Sequence, residues 1–193
     1  MTVNLSNKGV REIANNFDLF YIDIWGVLHN GIKLNQDAVN VLFELDKLGK
    51  EYVLLTNAPR PNSDVINFLE KLGLDEKKCS KVYTSGQASL DYLSNEKKNM
   101  KFFHLGPVRD FNLFKDFKSL KQNKVEDADY IICTGLFDEH ESLEFYKKFL
   151  SPFKNKEMVC TNPDLIVDRG NQRELCAGSV AMVFEKMGGK VVY

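Results

Sequence analysis

Residues 19–31, LFYIDIWGVLHNG, constrain the fold more than any other stretch of this chain. Leu19, Phe20, Tyr21 and Ile22 make a short continuous apolar run, the length of a strand covered on both faces in a parallel sheet. Asp23 closes the run. A carboxylate at the carboxyl end of a central parallel strand lies where open α/β sheets bind ligands, at the point where the strand order reverses. Gly26 then lets the chain leave the strand sharply. Asn30-Gly31, between Val27-Leu28 and the run from Ile32 to Leu34, is the signal of a tight hairpin, so a small β flap over 27–34 is expected to follow the aspartate.

The rest of the chain repeats strand, helix, strand. Ser6 is expected to cap a first helix carrying Val10 and Ile13. Asp37 opens a helix with Ala38, Val41, Leu42, Leu45 and Leu48 at helical spacing, closed by Gly49. A strand from Tyr52 to Leu55 ends in Thr56-Asn57. Pro61 and Ser63 lead into a helix bearing Val65, Phe68, Leu69 and Leu72, and Val82-Tyr83 is the next strand, with Ser85 expected to cap the helix after it. Strand, helix, strand of this kind makes a right-handed parallel unit whose polar strand ends share one edge.

The polar segment 94–101 separates this pattern from a second one. Strands are expected at 102–106, 130–133 and 158–161, a helical connection at 108–117, and a helix bearing Leu143, Tyr146, Phe149 and Leu150 behind an Asp138/Glu141 capping box. A last helix runs from Ala177 to Met187. The expected organisation is an α/β core over 1–95, a second α/β domain over 96–188, and a strand over 189–193 that begins a return to the core. The chain stops inside that apolar run, which reads as a C-terminal truncation.

Charge and composition exclude several classes. With 26 basic and 27 acidic residues, no bulk field draws the chain to nucleic acid or to a membrane surface. No apolar run approaches the length of a membrane span and no signal-peptide core is visible, so a cytoplasmic location is expected. Cys79, Cys133, Cys160 and Cys176 form no C-x-x-C pair and read as buried free thiols. His29, His104 and His140 are too dispersed for a zinc site.

Asp23-Ile24-Trp25-Gly26-Val27 resembles the first motif of the haloacid dehalogenase superfamily, Asp-x-Asp-Gly-Thr/Val, whose first aspartate is the nucleophile of phosphoryl transfer. Leu55-Thr56-Asn57 resembles its second motif. Thr84-Ser85-Gly86, Gly135-Leu136, Thr161-Asn162-Pro163-Asp164 and Cys176-Ala177-Gly178-Ser179 are similar to later landmarks of the class IIA, NagD-type branch. The resemblance covers nearly the whole chain and implies a Rossmann-like parallel core with an inserted α/β cap. The family continues with a Gly-Lys-Pro motif and acidic metal ligands, which this chain lacks; Lys190 does not take over the lysine's role.

What the resemblance implies is a magnesium-dependent phosphatase of small phosphate esters, working through an aspartyl-phosphate on Asp23. Asp23 and the backbone carbonyl of Trp25 would be metal ligands, and the Thr56 hydroxyl with the backbone of Asn57 would hold the phosphoryl oxygens. A homodimer through the cap is part of the same expectation. Trp25 stands where the phosphatases carry a second, proton-donating aspartate, and an indole N–H only donates. His29 on the flap is one candidate replacement, because imidazole titrates near neutral pH; the competing reading is an exposed turn residue. The alternative function is a catalytically weak or inactive relative that keeps the pocket for a phosphate ligand or the cap for association. Asn162, Asp164 and Arg169 lie in a loop that either faces the substrate or, for Asp164, caps a turn.

Overall fold

A computed structural model describes residues 9–169 and 172–193, so the Ser6 cap lies outside the described residues. The chain divides into two compact units, Met1–Thr56 with Asn62–Tyr83, and Asn57–Pro61 with Thr84–Tyr193.

In the first unit, two short 3-10 turns, Val10–Glu12 and Ala14–Asn16, occupy the place of the expected first helix. They lead to β1 (Leu19–Asp23), α1 (Gln36–Lys47), β2 (Glu51–Thr56), α2 (Asn62–Lys71), α3 (Glu76–Cys79) and β3 (Val82–Thr84), with sheet order β1-β2-β3. Asn35, not Asp37, caps α1: its side chain accepts the Asp37 N–H at 3.2 Å. β1 and β2 are parallel, with Phe20 opposite Tyr52, Ile22 opposite Leu54 and Asp23 opposite Leu55.

The sheet corrects one expectation. β1 is not covered on both faces, since Leu19 is 45% and Tyr21 68% exposed. Its side chains alternate between exposed and half-buried, as in a strand covered on one face, and among the described residues it has a single strand neighbour.

The second unit begins with α4 (Ser85–Glu96), capped by Thr84, whose hydroxyl accepts the Gln87 N–H at 2.9 Å. Ser85 instead donates to the Thr161 carbonyl. β4 (Phe102–Leu105) follows, then a 3-10 stretch Val108–Leu120 broken at Phe114, β5 (Lys121–Gln122), β6 (Tyr130–Cys133), α5 (Leu143–Leu150) and β7 (Glu157–Cys160). Ser142 precedes α5 as its cap, and Asp138 pairs with Arg109 instead of forming a capping box. An antiparallel pair, β8 (Ile166–Arg169) and β9 (Gln172–Leu175), leads to α6 (Ala177–Lys186) and β10 (Lys190–Val192).

Five of these strands form one sheet in the order β10-β7-β6-β4-β5, parallel at every pairing. β10 lies beside β7 in this sheet. Counted from β4, the order is 2-1-3-4-5, a doubly wound sheet. Alternate strand residues feed two cores. Leu105, Ile131, Cys133 and Met158 pack with Tyr146 and Leu150 of α5 and with Val180 and Phe184 of α6. Phe102, Tyr130, Ile132 and Val159 pack with Leu93 of α4 and with Leu113 and Phe114. All four cysteines are buried thiols outside any disulfide. No helix of the described residues is long and apolar enough to cross a membrane.

Candidate active site

Asp23 is exposed at the carboxyl end of β1. Its Oδ1 accepts the Ile24 N–H at 2.8 Å, which orients the carboxylate and leaves the other oxygen for a ligand. Leu55 is its register partner, so Thr56 lies one residue further on, at the same edge of the neighbouring strand. Side chains alternate along a strand, so the carboxylate and this hydroxyl share a rim rather than a face.

Beyond Asp23 the chain folds back in a compact turn. Leu28 and His29 N–H both donate to the Ile24 carbonyl, and Gly26 N–H donates to the His29 carbonyl at 2.8 Å. The expected flap is held by isolated bridges, Trp25 to His29 and His29 to Leu34, rather than by strands. Asn30 closes it, its side-chain oxygen accepting the N–H groups of Ile32 and Lys33 at 3.0 Å each. Gly31 sits at φ +87°, and a Cβ there would lie 3.1 Å from the Trp25 ring, so glycine serves both the turn and the indole.

His29 is not an exposed turn residue; it is 5% exposed. Its ring meets Trp25 edge-on at 5.4 Å and Phe68 at 5.2 Å, and its Nδ1 accepts the Gly31 N–H at 2.9 Å. That bond places the ring proton on Nε2. Burial lowers the imidazole pKa, and the negative charge of Asp23 opposes part of that shift. Trp25 itself is 52% exposed.

Asp23 and the Trp25 carbonyl are hard oxygen donors of the type magnesium takes. Among the described residues no cluster of three or more acidic, imidazole or thiol groups joins them. The donor chemistry fits, and the set is partial.

Asn57 belongs to the second unit, where its side-chain amide donates to Asp164 at 2.9 Å. Asp164 does not cap the turn; Asn162 does, accepting the Asp164 N–H at 2.9 Å. The Arg169 side chain lies outside what is described.

Sequence reading missed a polar group in the second unit. His104 and Thr134, both buried, join through Nε2 and Oγ1 at 2.8 Å, and the Thr134 hydroxyl also bonds the Asp110 carboxylate. A polar residue inside each of two apolar strand ends, Phe-Phe-His-Leu and Ile-Ile-Cys-Thr, was the available signal.

The sequence pattern shared by the haloacid dehalogenase-like hydrolases matches residues 20–118. Among solved structures, the chain is similar to a haloacid dehalogenase-like hydrolase from Brucella suis 1330, with 29% identity and a TM-score of 0.82 over 97% of this chain and 72% of that one. It shares its fold with a 4-nitrophenylphosphatase from Thermotoga maritima, at 19% identity and a TM-score of 0.71 over 93% and 69% of the two chains. NagD from E. coli K-12 is similar in fold too, at 24% identity and a TM-score of 0.64 over 91% and 68%. No curated protein matches the chain significantly.

Proposed function

Because the chain belongs to the haloacid dehalogenase-like hydrolases, we propose that it hydrolyses small phosphate monoesters through the carboxylate of Asp23. The observation that carries this reading is an exposed, backbone-oriented carboxylate at the carboxyl end of β1, with Thr56 one residue beyond its register partner. The fold relative from Thermotoga maritima, a 4-nitrophenylphosphatase, supports a phosphate ester as substrate.

In this mechanism the free oxygen of Asp23 attacks phosphorus as the bond to the leaving-group oxygen breaks, and that oxygen departs with the electron pair. Water then attacks the aspartyl-phosphate, releasing phosphate and restoring the carboxylate. The Thr56 hydroxyl donates to a phosphoryl oxygen and steadies the charge that develops there. A magnesium ion held by Asp23 and the Trp25 carbonyl would offset the repulsion between carboxylate and phosphate.

Trp25 and His29 set the leaving group. The indole offers no acid, and His29, neutral with Nδ1 already bonded, buttresses the indole instead of delivering a proton. The reaction then favours groups that depart without protonation, such as aryl oxides. Trp25 also supports a second reading, in which the chain binds phosphate ligands with little turnover.

Beryllium fluoride with magnesium mimics phosphate on an aspartate. It should raise the midpoint of thermal unfolding of the chain by a few degrees, the stabilisation of a ligand well above its Kd, and have no effect on Asp23→Asn. Equal response of the two proteins would overturn the assignment of Asp23.

A further inference from the structure

The second unit holds a cavity that the chemistry at Asp23 does not use. It has a volume of about 590 Å³ and lies between β4, α5 with the turn Ser151–Phe153 after it, and the connection from β5 to β6. That volume falls in the range of small-molecule sites, about 300–1,000 Å³.

One wall is aromatic. Phe145, Phe149 and Phe153 recur every fourth residue, so α5 and its extension present a row of rings on one side. Between ring centres, Phe149 meets Phe153 at 6.4 Å, Phe137 at 5.8 Å and Phe103 of β4 at 6.1 Å. Phe103, Phe137, Phe149 and Phe153 line the cavity, and all four are half-buried. The strand layer ends beside them: β5 pairs with β4 over two residues, opposite Phe102 and Phe103.

The opposite lip is charged. Val125, 2% exposed, anchors the connection from β5 to β6 in the core, and the Ala128 N–H donates to its carbonyl at 3.2 Å. Lys124 and Glu126 flank that anchor and Asp127 follows; all three line the cavity and are exposed. Among the described residues none of these three side chains makes a hydrogen bond or an ion pair. The lip thus sets two carboxylates against one ammonium, an excess of negative charge. Ring faces are electronegative too, so wall and lip select the same sign. An anion here meets two like charges, and a neutral molecule leaves the carboxylates to water. A positive group on an apolar body meets both sides.

We propose that this cavity binds a hydrophobic organic cation of the arylalkylammonium class, with its apolar body against Phe103, Phe149 and Phe153 and its ammonium group toward Glu126 and Asp127. Every residue involved belongs to the second unit, so the proposal stands independently of the reading of Asp23.

Titration of the 15N-labelled full chain with phenethylammonium, its neutral analogue 2-phenylethanol, the anion 3-phenylpropanoate and methylammonium, read by amide chemical shifts, tests it. Phenethylammonium should shift the amides of Phe103, Glu126, Asp127 and Phe149 saturably. It should bind about threefold to thirtyfold more tightly than 2-phenylethanol, the combined effect of an exposed ion pair and a cation over a ring. Methylammonium, which has the charge without the body, should bind far more weakly. Glu126→Gln combined with Asp127→Asn should remove most of the advantage over the alcohol. Lys124→Gln should tighten phenethylammonium binding, because the ammonium it removes repels the ligand. These three side chains hold nothing together in the fold, so the variants keep the test decisive. Absence of a saturable shift with phenethylammonium, equal or tighter binding of the alcohol, the propanoate or methylammonium, or weaker binding of phenethylammonium by Lys124→Gln would overturn the proposal.

Discussion

In β1 the apolar run Leu19 to Ile22 alternates between exposed and half-buried positions, whereas every residue of β6, Tyr130–Cys133, is buried. Both runs read alike in sequence. The difference lies in what surrounds them: β6 has strands on either side and cores on both faces, while β1 has one described strand neighbour. Their polar ends differ in the same way. Asp23 is held by one backbone N–H and stays exposed, but His104 and Thr134 are buried within a hydrogen-bonded relay.

The largest effect expected from this contrast concerns the open rim. With Trp25 where the resemblance places a proton-donating aspartate, 4-nitrophenyl phosphate should be hydrolysed faster than an alkyl phosphate by the roughly 10²–10⁴-fold that general acid catalysis supplies, about 3–5 kcal/mol of barrier. His29→Ala should slow both substrates equally, as loss of a support for Trp25 would. A selective loss on the alkyl ester, in steady-state rates with magnesium present, would restore His29 as the proton donor.

Core substitutions sharpen the contrast in stability. Phe184→Ala, in the second unit, should cost about 3–5 kcal/mol, while Tyr21→Ala on the open face of β1 should stay within about 0.5 kcal/mol. Urea unfolding followed by far-UV circular dichroism reads both. A cost at Tyr21 comparable to that at Phe184 would mean that the outer face of β1 is covered in solution.

A smaller effect follows from Glu157 in β7. Burial alone would raise its pKa, but hydrogen bonds from Lys190 and Lys97, the latter at 2.6 Å, overrule that and hold it at about 2. A carboxylate depressed in the folded state stabilises it above its unfolded pKa and loses that contribution as pH falls through the folded value. Discounted for solvent screening, the contribution is about 1–2 kcal/mol. Wild type should therefore exceed Glu157→Gln by this margin above about pH 5, and the gap should close toward the folded value near pH 2. A gap that is flat across the titration would show that the two lysines do not act through the charge of Glu157.

Much of this was legible before any coordinates. Short apolar runs ending in Asp23, Thr56, Leu105 and Cys133 marked the strands, and helical spacing marked α1, α2, α5 and α6. Caps were less legible, because several polar residues stand near each helix start: Asn35 took the place of Asp37, Thr84 that of Ser85, and Asp138 turned to Arg109. Neither reading of His29, as a proton donor or as an exposed turn residue, foresaw its burial, because local sequence does not show that Trp25 and Phe68 enclose it. That Lys190–Val192 pairs with β7 was not legible, because an apolar run does not name its neighbour.

Periodicity was enough to specify an α/β chain with Asp23 at a strand terminus, and the resemblance of its short motifs to those of the haloacid dehalogenases supplied the family, since both depend on residues close together in the sequence. Which face of β1 is covered, which sheet receives β10, and that His104, Asp110 and Thr134 meet were settled by register between distant strands. The physical reason is that burial belongs to a neighbourhood. A side chain's hydrophobicity expresses a preference, and its packing partners decide whether that preference is met.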